Sequence, residues 1–141
     1  MDELVTFYSE AGYPPHVSIR IGPLPGHNGE VRGLGFGPVK RAPVGKGDTD
    51  HDTSKVAPAY DSKVSFKLST QMVTAAEQST RAAFHDEAYI LVVRDCVSFA
   101  RYFAERCGLK VGLQGFTWFP GSFVRGLREM NADRVVKDED S

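Results

Sequence analysis

The 141-residue sequence lacks several features that mark whole classes of protein. Its formal net charge is −1 and it has no basic stripe, so we expect no nucleic-acid partner. No stretch approaches the ~20 apolar residues that a transmembrane helix needs. The acidic opening "MDELVTFYSEAGYPPH" has no apolar core of the kind that a Sec-type signal peptide carries. We therefore expect synthesis in the cytoplasm and no membrane span.

Cysteine is also scarce, since the chain has only Cys96 and Cys107. If one helix carries both, they lie about 16 Å apart along its axis. A disulfide requires Cα atoms within about 7 Å. Both side chains are therefore predicted to be free thiols, which fits a reducing compartment.

The length and the 41% apolar fraction are typical of one globular domain, and we expect it to span residues 1–141. Residues 39–62 are polar and contain several prolines and glycines, which predicts a long flexible loop. The charged segment 133–141 is predicted to be a frayed tail.

Hydrophobic spacing predicts both strands and helices. Strands or extended segments are predicted at 16–22, 30–36, 63–68 and 89–93. Helices are predicted from 69 or 70 to about 84, from about 96 to 107, and from 122, where Phe123, Leu127 and Met130 form an apolar stripe at helical spacing. Ser69 or Thr70 is expected to cap the first helix, Asp95 to cap the second, and Gly108 to end it.

Cys96 is the candidate nucleophile because it falls in the first turn of the second predicted helix. The positive end of a helix favours the thiolate, which is the reactive form of cysteine. The same end could hold a developing oxyanion. The alternative is an inert core residue, since cysteine is among the most often buried side chains. Cys107 lies on the apolar stripe of the helix, and packing is its predicted role.

A nucleophilic cysteine needs a base within hydrogen-bond reach, and the chain has four histidines. His16 opens a predicted strand, whereas His27 and His51 fall in loops and His85 at a helix end. A base that must point in one direction is best held on a rigid element, which favours His16 and leaves His27 as its rival. His51 stands in "DTDHD", but such polar loops are usually solvated, so no metal or cofactor is expected.

Two segments and their order carry a further signal. "HVSIRIG" comes first, and "YILVVRDCVSFARYFAERCGL" follows about eighty residues later. The second contains Tyr89, an apolar run, Cys96, Phe99 and a Gly-Leu end, and "LGFGP" at 34–38 follows the first. This arrangement resembles the permuted NlpC-type branch of the papain-like cysteine hydrolases, in which the His strand precedes the Cys helix. Asp95 departs from the Asn that the family often has before its cysteine.

The resemblance implies an α+β fold in which a small antiparallel sheet packs on the nucleophile helix. It implies that Cys96 attacks a carbonyl carbon and that His16 takes the thiol proton. It also implies a third residue on the strand after the His strand. That strand offers Glu30 and Arg32, but the expected neighbours of His16 are Gly35 or Phe36, so the third role is left unassigned.

Relatives of this kind cleave amide bonds, and the expected substrate is a peptidoglycan peptide. A secretion-system effector delivered into the periplasm of a target cell fits this chemistry, with a cognate immunity protein as a further partner. One alternative is an acyltransferase or lipid hydrolase with an apolar groove at "FTWFPGSF", residues 116–123, although packing of the last helix explains those aromatics better. A second alternative is a non-catalytic binding module on the same fold.

Overall fold

The computed structural model describes residues 1–10, 16–35, 37–38, 44–48, 60–84, 88–90, 96–112 and 120–136. The strands among them are β1 (Asp2–Glu10), β2 (His16–Gly22), β3 (Arg32–Leu34), β4 (Gly37–Pro38), β5 (Val44–Asp48), β6 (Tyr60–Ser69) and β7 (Ala88–Ile90). The helices are α1 (Thr70–Phe84), α2 (Cys96–Arg106) and α3 (Pro120–Met130), followed by a short 3-10 helix (Ala132–Arg134). The α+β class predicted from the sequence is confirmed.

The main sheet is antiparallel and has the strand order β3-β2-β1-β6, while β4, β5 and β7 form a second, smaller sheet. Strand β1 pairs with β2 in one continuous register that joins Leu4 to Gly22 and Glu10 to His16. Because side chains alternate along a strand, this register gives the main sheet two faces of different character.

The apolar face of the main sheet is covered by all three helices. Phe7 at its centre lies 6.1 Å, ring to ring, from Phe103 of α2 and 6.2 Å from Phe123 of α3. Arg32, on the same face of β3, donates from Nε to Glu77 of α1 at 2.9 Å. The buried strand residues of this face are Val5, Phe7, Val17, Ile19, Ile21, Leu34, Val64, Phe66 and Leu68.

The polar face is the opposite side of the same strands. It consists of Thr6, Tyr8 and Glu10 on β1, of His16, Ser18 and Arg20 on β2, and of Lys63, Ser65 and Lys67 on β6. The hydroxyl oxygens of Thr6 and Ser65 lie 2.8 Å apart in a hydrogen bond across the β1–β6 pair. Several of these polar side chains are buried nonetheless.

Local sequence signals explain the helix ends. Ser69 Oγ accepts a hydrogen bond from the backbone N–H of Met72 at 3.2 Å, so Ser69 is the N-cap of α1. Gly108 has a φ of 81°, the left-handed conformation that ends α2. The predicted stripe on α2 is buried in the core. Asp95, the predicted cap of α2, lies outside the described residues.

Four expectations need correction. Strand β1 was not predicted, and strand β5 interrupts the loop expected over 39–62, whose last residues belong to β6. The tail expected to fray from 133 is ordered as far as 136, because Val135 bridges to Phe66 and the Val136 N–H bonds to Ser65 O at 2.8 Å. Met130, expected on the apolar stripe of α3, is 43% exposed.

Asn131 joins the ends of two helices. Its amide nitrogen donates to Leu127 O at 3.0 Å and to Lys110 O at 2.9 Å, and its Oδ1 accepts from the Lys110 N–H at 2.9 Å. The side chain is buried. These bonds tie the end of α3 to the segment that follows α2, and so position α2 on the sheet.

Asn131→Ala should lower the free energy of unfolding by about 1–3 kcal/mol, because the part-buried N–H and C=O of Lys110 lose their hydrogen bonds to the Asn131 side chain. Chemical denaturation measures the change. Asn28→Ala, at an exposed position after β2, is the matched control and should change stability little. Equal effects of the two substitutions would contradict a bridging role for Asn131.

Candidate functional site

Cys96 is the first residue of α2 and is 3% exposed. It belongs to the hydrophobic core, as do Phe84 and Phe99, whose rings meet edge to face at 5.2 Å. The thiol therefore has the position predicted from the sequence, at the positive end of a helix dipole. It is also packed like a small hydrophobic side chain.

The start of α2 and the start of β2 lie at the same end of the main sheet. Met72, in the first turn of α1, lies close to Gly108 after the end of α2, and the ring of Phe84 at the end of α1 contacts that of Phe99 near the start of α2. Helices α1 and α2 are thus antiparallel. Since α1 begins where β6 ends, beside the end of β2, α2 must begin near the start of β2.

Distances along the two elements agree with this placement. Phe103 of α2 contacts Phe7, which is paired with Ile19 of β2. Cys96 precedes Phe103 by about 10 Å along the helix, and His16 precedes Ile19 by about 10 Å along the strand. The candidate nucleophile and base therefore lie at about the same position along the strand direction, near the start of β2.

His16 lies next to Glu10, its register partner on β1, and the two form an ion pair when the imidazole is protonated. His16 Nε2 lies 3.7 Å from Glu10 Oε2, and both side chains are partly buried. Glu10 Oε2 is inaccessible to solvent and makes no hydrogen bond within the described part of the chain. This carboxylate is placed to hold an imidazole in one orientation.

The pleat of β2 separates the two candidate side chains. Three positions separate His16 from Ile19, whose side chain faces the helices, so regular alternation directs His16 to the polar face. Helix α2 packs on the apolar face. The fold thus brings His16 and Cys96 to one end of the sheet, but their side chains lie on opposite faces of it.

The other candidate bases are less well placed. His27 is exposed and follows the end of β2, so it lies at the opposite end of the strand from His16. His51 and His85 lie outside the described residues. Among the residues that the structure describes, no group of three or more His, Cys, Asp and Glu could hold a metal ion.

The residue beside His16 comes from the strand before it rather than from the strand after it. Glu30 is exposed in the connection, and Arg32 bonds to Glu77 and Glu3. Sequence reasoning missed Glu10 because it assigned no strand to the first ten residues. The signal was the alternation of Val5, Phe7 and Ser9 with more polar neighbours.

The groove expected at 116–123 falls only partly within the described residues. Residues 113–119 lie outside them. Phe123 is buried against Phe7 at a ring distance of 6.2 Å, so it packs the sheet on α3 instead of lining a groove.

Cys107 is fully buried in the core, as predicted. Burial raises the pKa of its thiol to about 12, an effect that the nearby positive charge of Arg134 partly opposes. The protonated thiol is therefore strongly favoured, and Cys107 acts as an apolar side chain.

No family model, curated protein or solved structure matches this chain. Within the described parts of the chain, no helix is long and apolar enough to span a membrane.

Because the pKa of Cys107 is raised in the folded protein, the free energy of unfolding should fall as the pH becomes alkaline. An unfolded thiol ionises near pH 9, whereas the folded one stays protonated to about pH 12, so stability falls across that window. At pH 10 the loss should be about 1.4 kcal/mol relative to neutral pH. Denaturation curves should show this slope in the wild type and not in Cys107→Ala. An unchanged slope in the variant would contradict the assignment.

Proposed function

We propose that the protein is a cysteine hydrolase of amide bonds, with a permuted papain-like arrangement of its Cys helix and His strand. Cys96 is the nucleophile, His16 the general base and Glu10 the positioning residue. The observation that carries the proposal is the Glu10–His16 ion pair at the end of the sheet where α2 begins with a cysteine. A nucleophilic cysteine needs a His as base and is helped by a carboxylate that orients this His, and all three residue types lie at this end of the sheet.

The reaction needs no cofactor. His16 takes the proton of the Cys96 thiol, and the thiolate attacks the carbonyl carbon of the amide. The positive end of the α2 dipole stabilises the oxyanion. The C–N bond then breaks as His16 returns the proton to the leaving amine, and water hydrolyses the thioester with His16 again acting as base.

Glu10 contributes by orientation and charge. In the orientation that the structure describes, its carboxylate lies 3.7 Å from the His16 ring nitrogen and would stabilise an imidazolium there. For His16 to accept the proton of Cys96, its side chain must turn away from Glu10, toward the side of the sheet that carries the helices.

The substrate proposal rests on the resemblance to NlpC-type enzymes. We propose an amide bond of a peptidoglycan peptide, cut in the periplasm of a target cell by a secreted effector made in the cytoplasm. A cognate immunity protein that blocks the Cys96 end of the sheet would protect the producing cell. The chemistry at Cys96 does not depend on this delivery route.

A second candidate function is a non-catalytic binding module. The observations that favour it are the 3% exposure of Cys96 and the direction of His16 toward the polar face. In that case Cys96 is core filler, and the Glu10–His16 pair belongs to a surface that binds a ligand.

Digestion of purified peptidoglycan, followed by mass spectrometry of the released fragments, tests the hydrolase. Cys96→Ala should abolish cleavage without unfolding the protein, and His16→Ala should reduce it nearly as far, because nucleophile and base act as a unit. Cys107→Ala and His27→Ala are the matched controls and should retain activity. Full activity of Cys96→Ala on a substrate that the wild type cuts would exclude the mechanism.

Alkylation by iodoacetamide tests the pair without a known substrate. The wild type should react at Cys96 near neutral pH, and both His16→Ala and Glu10→Gln should slow that reaction and change its pH profile. His27→Ala should leave it unchanged. If Cys96 reacts only when the protein unfolds, in all variants alike, the binding-module function is correct instead.

A further inference from the structure

Arg20 is a buried charge that has no counterion among the described residues. The residue is 7% exposed and lies on the polar face of β2. Its Nη1 donates to the backbone oxygen of Ile19 at 3.1 Å, while its Nε is buried and makes no hydrogen bond in the described part of the chain. No carboxylate of the described residues pairs with it. A buried guanidinium in this state is costly unless something else compensates its charge.

Ser18 lies two residues before Arg20 on the same face, and it too is buried with an unsatisfied polar atom. It is 0% exposed, and within the described residues its hydroxyl has no hydrogen-bond partner. Buried hydroxyls almost always have a partner, so an unsatisfied one next to an unpaired arginine is a specific feature of this face.

The neighbours of Arg20 in the sheet do not satisfy its guanidinium. Its register partner on β3 is the buried Gly33, which has no side chain that could accept a hydrogen bond from Arg20. Its partner on β1 is Thr6, whose hydroxyl is already bonded to Ser65. All three helices contact the apolar face, so none of these groups is used in packing a helix.

We propose that Arg20 and Ser18 form a binding site for a carboxylate group on the polar face. The Nε and Nη2 edge of a guanidinium presents two parallel N–H donors that match the two oxygens of a carboxylate. The Ser18 hydroxyl supplies a third donor. Burial strengthens each of these bonds because water does not compete for them.

A singly charged ligand fits this face better than a phosphate dianion. One arginine compensates one negative charge, and Lys63 and Lys67, the other cations of this face, lie on β6, two strands away from Arg20. The site does not involve Cys96, so it stands whether the protein is a hydrolase or a binding module.

Thermal unfolding in acetate, with acetamide as the uncharged isostere and sodium chloride at equal ionic strength, tests the site. Acetate should raise the melting temperature with a saturating dependence on concentration, whereas acetamide and chloride should not. The melting temperature is also measured in inorganic phosphate. An equal or larger rise with phosphate would overturn the assignment to a carboxylate, and no rise with acetate would overturn the site itself.

Three variants decide which residues are responsible. Arg20→Met should abolish the acetate effect and should not destabilise the ligand-free protein, since it replaces an uncompensated charge with an apolar chain. Ser18→Ala should weaken acetate binding about tenfold while the fold is kept. Arg106→Gln, which removes an exposed positive charge from α2, is the matched control and should bind acetate as the wild type does.

Two results would contradict the proposal. One is an equal loss of the acetate effect in Arg106→Gln, which would indicate a general charge effect. The other is an unchanged acetate response in Ser18→Ala together with loss of stability in Arg20→Met, which would make Arg20 a structural residue.

Discussion

The contact of Phe7 with three other phenylalanine rings is the interaction on which the rest of the structure depends. Phe7 stands at the centre of β1, the strand between β2 and β6, and its ring meets Phe66, Phe103 and Phe123 within 6.1 to 6.2 Å. It therefore joins the sheet to α2 and α3 at one point. The position of the cysteine helix relative to the histidine strand follows from this contact and from the register of β1 with β2.

The same register explains the character of both candidate sites. It places Glu10 beside His16, and it places Ser18 and Arg20 on the polar face with them. A shift of one residue would exchange the two faces and put Arg20 among the phenylalanines. The apolar contacts of Phe7 thus determine indirectly which polar groups lie together on the other side of the sheet.

Much of the fold could be predicted because its signals are local. The alternation in β2, the serine cap of α1 and the glycine at the end of α2 each act over a few residues, and each appears in the structure. Strand β1 was missed because the alternation of Val5 and Phe7 with Thr6 and Tyr8 covers only a few residues. Strand β5 was missed because glycine, lysine and aspartate are uncommon in strands and only pairing with β4 and β7 stabilises it there.

The sequence by itself determined that strands and helices are both present, where α1 and α2 lie, and that Cys96 stands at a helix start, since these depend on spacing along the chain. Only the tertiary structure decided that Glu10 is the neighbour of His16, that the pleat turns His16 away from the helices, and that Arg20 is buried with no counterion among the described residues. The physical reason is that strand pairing joins residues far apart in sequence. Which strands become neighbours depends on the whole core.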